Sequence, residues 1–278
     1  MPRFTTCHGP WKSLPGRGGK AQVFAIGDVH GQADALAATL DAIAEIPRRA
    51  ERRILVFTGD IIDRGPANRR AVRFVEEASK YARVDEVVLL PGNHEMMLLD
   101  GLQNPGVSLD LWLLNGGQSV VREGGAASGE TNHSRLAAIA REVVGESFIR
   151  RIADSSNWHE ENDLLFVHAG IHPREPLYDF LRKPRQEAGL GEHWAWIREP
   201  FLNWRGGWDS QRKRVVVHGH TPALCTPATL EAFSEAADCI ETHRRICLDA
   251  GAALNQQIGW AVFEYDRYTM GLTKGISR

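Results

Sequence analysis

The sequence predicts an α/β fold of two facing mixed β-sheets flanked by helices, and three observations carry that expectation. Short apolar runs recur between segments whose apolar residues fall at helical spacing. The runs are continuous rather than alternating, as in strands of a largely parallel sheet covered on both faces. Each early run also stops at a cluster of Gly, Asp, Asn or His. With 278 residues the chain is about the size at which one hydrophobic core stops growing, so residues 21–278 read as a single domain.

Residues 1–20 are rich in Gly, Pro and basic groups and read as an arm, poorly ordered or strapped over the surface. Val23-Phe24-Ala25-Ile26 is the first strand and ends in Gly27-Asp28; Ala33 to Ile46 then has helical spacing. Ile54-Leu55-Val56-Phe57 repeats the strand, ending in Gly59-Asp60, and Ala67 to Tyr81 repeats the helix, with Pro66 near its start. Val87-Val88-Leu89-Leu90 is the third strand and runs into Pro91-Gly92-Asn93-His94. Residues 103–155 read as a helical insertion with Gly-rich loops such as Asn115-Gly116-Gly117, placed to wall the site. Leu164 to Val167, Val215 to Val217, Ile246 to Leu248 and Trp260 to Tyr265 are later strands, the last with Tyr268 to Thr273 as its hairpin partner. Together they imply a second sheet facing the first.

Composition narrows the function classes. Lys plus Arg number 33 against 35 for Asp plus Glu, so no general field favours nucleic acid or an anionic membrane, and neither partner is expected. The densest basic stretch, Arg48 to Arg53, lies between a helix and a strand and reads as a solvated loop. The four cysteines, Cys7, Cys225, Cys239 and Cys247, form no CxxC pair, which argues against a zinc knuckle or a disulfide framework. No apolar run approaches a membrane span and the N-terminal stretch is not a signal peptide, so a cytoplasmic protein is expected.

Five strand ends carry the chemistry: Asp28-Val29-His30-Gly31, Gly59-Asp60 through Asp63-Arg64-Gly65, Gly92-Asn93-His94-Glu95, His168-Ala169-Gly170 and His218-Gly219-His220-Thr221-Pro222. Ligands of open α/β sheets bind beyond the carboxyl ends of the strands, so these loops converge on one place. Carboxylates, an amide and imidazoles without thiolates make an oxygen and nitrogen metal site suited to Mn, Fe or Zn. Each motif alone is an ordinary turn; the five in this order are hard to assign to chance.

With these motifs the chain resembles the calcineurin-like metallophosphoesterases, and within them the phosphoprotein phosphatase family of serine/threonine phosphatases and symmetrical diadenosine tetraphosphatases, from Val23 to Ala252. The resemblance implies the four-layer metallophosphoesterase fold and two divalent metal ions, manganese first, with iron, zinc or a mixed pair as alternatives. Asp28 and His30 would hold one metal, Asp60 bridge both, and Asn93, His168 and His220 hold the second, with a metal-bridging hydroxide attacking phosphorus directly. His94 would protonate the leaving oxygen, and Asp63 would bond its other ring nitrogen and raise the imidazole pKa. Arg64 and Arg198 would clamp the phosphate, Arg198 on the strength of Trp196-Ile197-Arg198-Glu199-Pro200-Phe201, similar to a block of the bacterial and phage branch.

Glu95 is as in the protein phosphatases, where the tetraphosphatases usually have Asp. The eukaryotic Ser-Ala-Pro-Asn-Tyr segment is missing, and Gly219 to Pro222 followed by Leu248-Asp249-Ala250-Gly251-Ala252 follows the bacterial and phage pattern. The first expectation is therefore a phosphomonoesterase acting on phosphoserine or phosphothreonine of proteins. The alternative is a symmetrical dinucleoside polyphosphate hydrolase with its nucleoside pocket in residues 103–155. A catalytically silent phosphoprotein-binding scaffold has little support, since every inferred ligand is present. His218 is read as packed beside the site, and His133, His159, His172, His193 and His243 as surface or packing residues. The tryptophans from Trp194 to Trp208 read as cover over the second sheet rather than a substrate platform.

Overall fold

The computed structural model describes residues 4–185 and 192–276. The chain opens with β1 (Phe4–His8) and β2 (Lys12–Ser13), then alternates β3 (Gln22–Ile26), α1 (Ala33–Glu45), β4 (Arg53–Phe57), α2 (Asn68–Glu76), α3 (Ala78–Tyr81) and β5 (Glu86–Leu89). β3, β4 and β5 are parallel and adjacent, as continuous apolar runs joined by helices require. The helix expected over 67–81 is two helices, broken at Glu77 (φ −98°, ψ 11°), where the sequence has neither Gly nor Pro.

The middle of the chain holds α4 (Asn93–Gln103), α5 (Val107–Trp112), a kink over Leu113–Gly117 with non-helical backbone at Gly116, α6 (Gln118–Glu123), α7 (His133–Val144) and α8 (Glu146–Asp154). α7 begins where the Asn132 side chain accepts from Arg135 N, a side-chain cap that satisfies one of the first free amides. β6 (Trp158–Glu161), β7 (Leu164–Val167), α9 (Leu177–Leu181), β8 (Val215–His218), α10 (Leu230–Ala237), β9 (Asp238–Cys239), α11 (Ile240–His243), β10 (Arg245–Cys247), β11 (Gln257–Glu264) and β12 (Arg267–Gly275) follow. No helix among the described residues is long and apolar enough to cross a membrane.

Among the described residues the strands form two mixed sheets. One has seven strands in the order β1-β12-β11-β3-β4-β5, with β2 also on β12; the other has five, β6-β7-β8-β10-β9. Two expectations are corrected here. The terminal hairpin belongs to the first sheet: β11 runs antiparallel to β3, pairing Trp260 with Ile26 and Phe263 with Val23, and is buried along its whole length. Apolar continuity is the same for a strand in either sheet, so pattern alone does not choose between them. Residues 4–8, expected as a poorly ordered arm or strap, are a strand paired with β12 from Phe4 opposite Gly275 to His8 opposite Gly271. Phe4 packs against the core and Thr6 meets Thr273, so alternate residues of the segment face inward.

The layers follow from the two-residue period of the strands. Phe24, Ile26, Leu55 and Phe57 face a core shared with α1, α2 and the helices of residues 97–152. Val23, Ala25, Ile54 and Val56 point the other way, onto Leu164, Phe166, Val215 and Val217 of the second sheet. Leu165, Val167 and Val216 lie on the outer side of that sheet under Phe180, Trp194, Ile197 and Phe201. Trp194 and Phe201 are fully buried in this third layer of packing, as cover rather than platform.

Candidate functional site

The parallel strands β3, β4 and β5, and β7 with β8, deliver their carboxyl ends to one edge of the sandwich. The loops that leave them turn sharply. His30, Asp60, Asp63, Arg64 and His220 all have left-handed backbone, with φ of 44°, 53°, 76°, 68° and 67°. Such conformations cost about 1–3 kcal/mol each in ordinary residues and persist where the surroundings hold them. Two glycines explain the close approach: a Cβ on Gly219 would stand 2.0 Å from Asp28 Oδ1, and one on Gly92 would stand 2.1 Å from Asp60 Oδ1. The backbone of one loop is the wall against which the carboxylate of another rests.

Two ligand clusters share Asp60. His30 Nε2 lies 3.6 Å from Asp60 Oδ2 and 3.9 Å from Asp28 Oδ2, and its Nδ1 bonds the Ile62 carbonyl at 3.0 Å, which orients the ring. On the other side His168 Nε2 is 3.5 Å from Asp60 Oδ1 and 3.0 Å from Asn93 Oδ1, with Nδ1 held by the Thr58 carbonyl at 2.8 Å. His220 Nδ1 is 3.0 Å from the same Asn93 oxygen, and its Nε2 is buried with no partner. All six residues expected as ligands, Asp28, His30, Asp60, Asn93, His168 and His220, are buried and brought together. By distance alone His94 would also fit the first cluster, since its Nε2 is 3.9 Å from Asp60 Oδ2.

The charges fit a site built for cations. Burial, then the neighbouring Asp249 and Asp60, raises Asp28 well above the ordinary carboxylate range, and burial pushes Asp60 and Asp249 up to about 6. Burial likewise lowers His30 and His220 well below the usual imidazole value and takes His168 to about 4. Buried carboxylates crowded together beside neutral imidazoles whose ring nitrogens face them are a donor set that a divalent cation satisfies. The residues present therefore fit a metal pair of mixed oxygen and nitrogen ligation.

His94 Nδ1 meets Asp63 Oδ2 at 2.7 Å, both groups fully enclosed. The expected rise in the His94 pKa is not what the surroundings produce: burial lowers it, and Arg64 adds to the lowering against the opposing pull of Asp60. Asp63 itself is raised by burial, against the Trp112 hydrogen bond and Arg64. Arg64 is exposed and its Nε donates to the Asn115 carbonyl at 3.3 Å. Arg198 is also exposed, and its charge contributes to the lowering of His168 and His220. His218 is packed, its ring edge-on to Phe201 at 4.9 Å. His193 is buried and bonds the Pro184 carbonyl, whereas His133 lies at the surface beside Asp110.

Three residues received no structural role from the sequence: Glu95 and Asp249, which stood within its motifs, and Trp112, which did not. Glu95 accepts from four backbone amides, Asp60, Ile61, Ile62 and Gly92, and so ties the second and third loops together. A signal existed: Glu95 is the third residue of a helix that starts after Gly92, the position from which a carboxylate reaches back to a free amide. Trp112 donates to Asp63 Oδ2 at 2.9 Å from a helix remote in sequence, and nothing local marks it. Asp249 is buried beside Asp28 and bonds Gly251 N at 2.8 Å.

The comparisons agree with this geometry. Over 207 residues the chain is 28% identical to an asymmetrical bis(5'-nucleosyl)-tetraphosphatase, PrpE, of Bacillus velezensis, covering 71% of this chain and 76% of that protein. A symmetrical bis(5'-nucleosyl)-tetraphosphatase of Aromatoleum aromaticum is 26% identical over 216 residues, 74% of this chain and 68% of that one. Among solved structures, a mutant of a cold-active protein tyrosine phosphatase superposes with a TM-score of 0.55 at 17% identity, covering 95% of this chain and 84% of the other, a likeness of fold. The family model for calcineurin-like phosphoesterases matches residues 21–241, and with the two-sheet sandwich and its strand-end ligands this places the chain in the calcineurin-like phosphoesterase family.

Proposed function

We propose that the chain hydrolyses a phosphoric anhydride of a dinucleoside polyphosphate with two divalent cations. The observation that carries this reading is a cavity of about 390 Å³ opening beside Asn93 and walled by Met96, Met97, Leu111 and Trp196, with Asp100 among its polar groups. A recess with apolar walls and one aromatic side chain, and with Asp100, Gln103 and Arg185 among its polar groups, suits a nucleobase and ribose beside the ligand cluster. The tetraphosphatases that match most of the chain support the same substrate class. This reverses the order in which the sequence ranks the two readings.

In this reading Asp28, His30 and Asp60 would hold one cation, and Asp60, Asn93, His168 and His220 the other. Such a pair supplies a water of lowered pKa and neutralises the phosphoryl oxygens. Arg64 and Arg198, exposed at the rim, bind the outer phosphate oxygens by their guanidinium groups. His94 would give the Nε2 proton to the leaving oxygen from its doubly protonated form, which burial disfavours and the charges of Asp60 and Glu95 favour, while Nδ1–H stays on Asp63 and fixes the ring. Glu95, which the protein phosphatases share, favours the second reading, a phosphomonoesterase on phosphoserine or phosphothreonine.

Phosphate and nucleotide release from diadenosine tetraphosphate, beside phosphoserine and phosphothreonine peptides and with a chelator control, separates the two. The dinucleotide is expected to turn over preferentially, and Trp196→Ala to raise its KM about tenfold, the value of one lost aromatic–base contact, while leaving small aryl phosphates unaffected. Preferred turnover of the peptides would replace this reading with the second, and activity that survives the chelator would remove both.

A further inference from the structure

Asp63 is held more tightly than a single contact with His94 would hold it. Its Oδ2 accepts from two donors, His94 Nδ1 at 2.7 Å and Trp112 Nε1 at 2.9 Å, while Oδ1 is buried and bonded to nothing. With one donor a carboxylate can swing about its Cβ–Cγ bond and exchange its oxygens; two donors on the lone pairs of one oxygen leave it one plane. Trp112 is itself pinned. It is fully buried and lies against Gly117, where an added Cβ would come within 2.4 Å of the indole ring.

The kink after Trp112, at Gly116 (φ 132°), grips the same loop. Arg64 N donates to the Gly116 carbonyl at 3.1 Å, and Arg64 Nε to that of Asn115 at 3.3 Å. Asp63 N is meanwhile held by Asn68 Oδ1 at 2.8 Å. These bonds sustain the left-handed backbone of Asp63 and Arg64, which neighbours from another element must hold in place.

We propose that Trp112 is a positioning residue for the Asp63–His94 pair: its indole N–H fixes the plane of the Asp63 carboxylate and thereby keeps His94 Nε2 turned toward the ligand cluster. The inference rests on the reading of His94 as proton donor. Trp112 reaches neither substrate nor ligand cluster, so its loss acts on turnover and not on affinity. The effect grows with the basicity of the leaving oxygen, because a poor leaving group depends most on the donated proton.

The test is a leaving-group series of aryl phosphates, from nitrophenyl to phenyl, on metal-loaded protein. It compares the unaltered chain with His94→Asn, Trp112→Phe and a protein carrying benzothienylalanine at position 112, which keeps the shape of the ring and removes only the N–H. The two position-112 proteins are expected to lose roughly tenfold in kcat on phenyl phosphate and little on the nitrophenyl ester, with KM unchanged. His94→Asn should show the same dependence with a larger loss. If His94→Asn loses no more on phenyl than on nitrophenyl phosphate, the proton-donor reading fails and the Trp112 proposal with it. If His94→Asn shows the dependence and the benzothienylalanine protein behaves as the unaltered chain, Trp112 has no positioning role. That protein leaves no cavity, so it decides the matter even where Trp112→Phe loses its fold. In metal-free protein the Trp112 indole proton should also move upfield in Asp63→Asn, and an unmoved resonance would equally overturn the proposal.

Discussion

Replacing Glu95 by Gln should unlock the second and third loops at once. Glu95 is fully buried and its Oε2 accepts from Asp60 N and Gly92 N, each at 2.8 Å, while Oε1 accepts from Ile61 N at 2.8 Å and Ile62 N at 3.3 Å. A glutamine keeps one acceptor oxygen and turns an NH₂ group on the other pair of amides, donor against donor. Two hydrogen bonds to a charged acceptor are lost, worth about 1.5–3 kcal/mol each, so the gross cost is about 3–6 kcal/mol. Part returns, because burial and the Asp60 charge both disfavour the Glu95 carboxylate and the amide removes that opposition. The net expectation is a loss of about 2–4 kcal/mol, read by urea denaturation of metal-free protein. Because Asp60 N is one of the released amides, metal content after dialysis should fall as well. A Glu95→Gln protein within about 1 kcal/mol of the unaltered one, with its metals retained, would refute the argument that this carboxylate holds the loops.

Two further outcomes follow from the same geometry. Gly219→Ala drives a Cβ to within 2.0 Å of Asp28 Oδ1 and 3.2 Å of Thr58 Oγ1; overpacking of this kind costs about 1–3 kcal/mol, and metal analysis should show the Asp28 side of the site emptied first. His193 takes Ala195 N on Nδ1 and gives Nε2–H to the Pro184 carbonyl, so a second proton would set donor against donor, and burial carries its pKa down to about 4. A depressed folded pKa means stability is whole above the unfolded value of about 6.5 and drains as pH falls toward 4, by about 2 kcal/mol after allowance for solvent screening. Melting curves across that window should flatten in His193→Gln, and an unchanged slope would assign the acid loss to other groups.

The fold, and the strand-end loops that carry the candidate ligands, were legible in the sequence for one reason: both are written locally. A continuous apolar run followed by Gly and a ligating residue identifies a buried strand and its exit, and parallel strands deliver all such exits to one edge. Those loops could therefore be picked out before any contact was known, while the assignment of Asp28, His30, Asp60, Asn93, His168 and His220 as ligands came from the resemblance of their motifs to the metallophosphoesterases. The terminal hairpin shows where local pattern ends, since β11 is apolar in the same way whether it extends the first sheet or builds the second. The left-handed His30, Asp63 and Arg64 carry no local signal either, because neighbours from other loops impose those angles.

What the sequence by itself determined was the chemistry available at the strand ends: the ligand types, their order, and a sandwich able to gather them. Tertiary structure alone decided how that chemistry is held and what it faces. Glu95 binds amides 33 to 35 residues away, Trp112 reaches Asp63 across 49, and the recess beside Asn93 is assembled from α4, α5, the end of α8 and the segment at Trp196. These depend on distances between elements that no periodicity records. Even the direction of the His94 pKa turned on this: the burial that outweighs the raising charges of Asp60 and Glu95 exists only once the layers close.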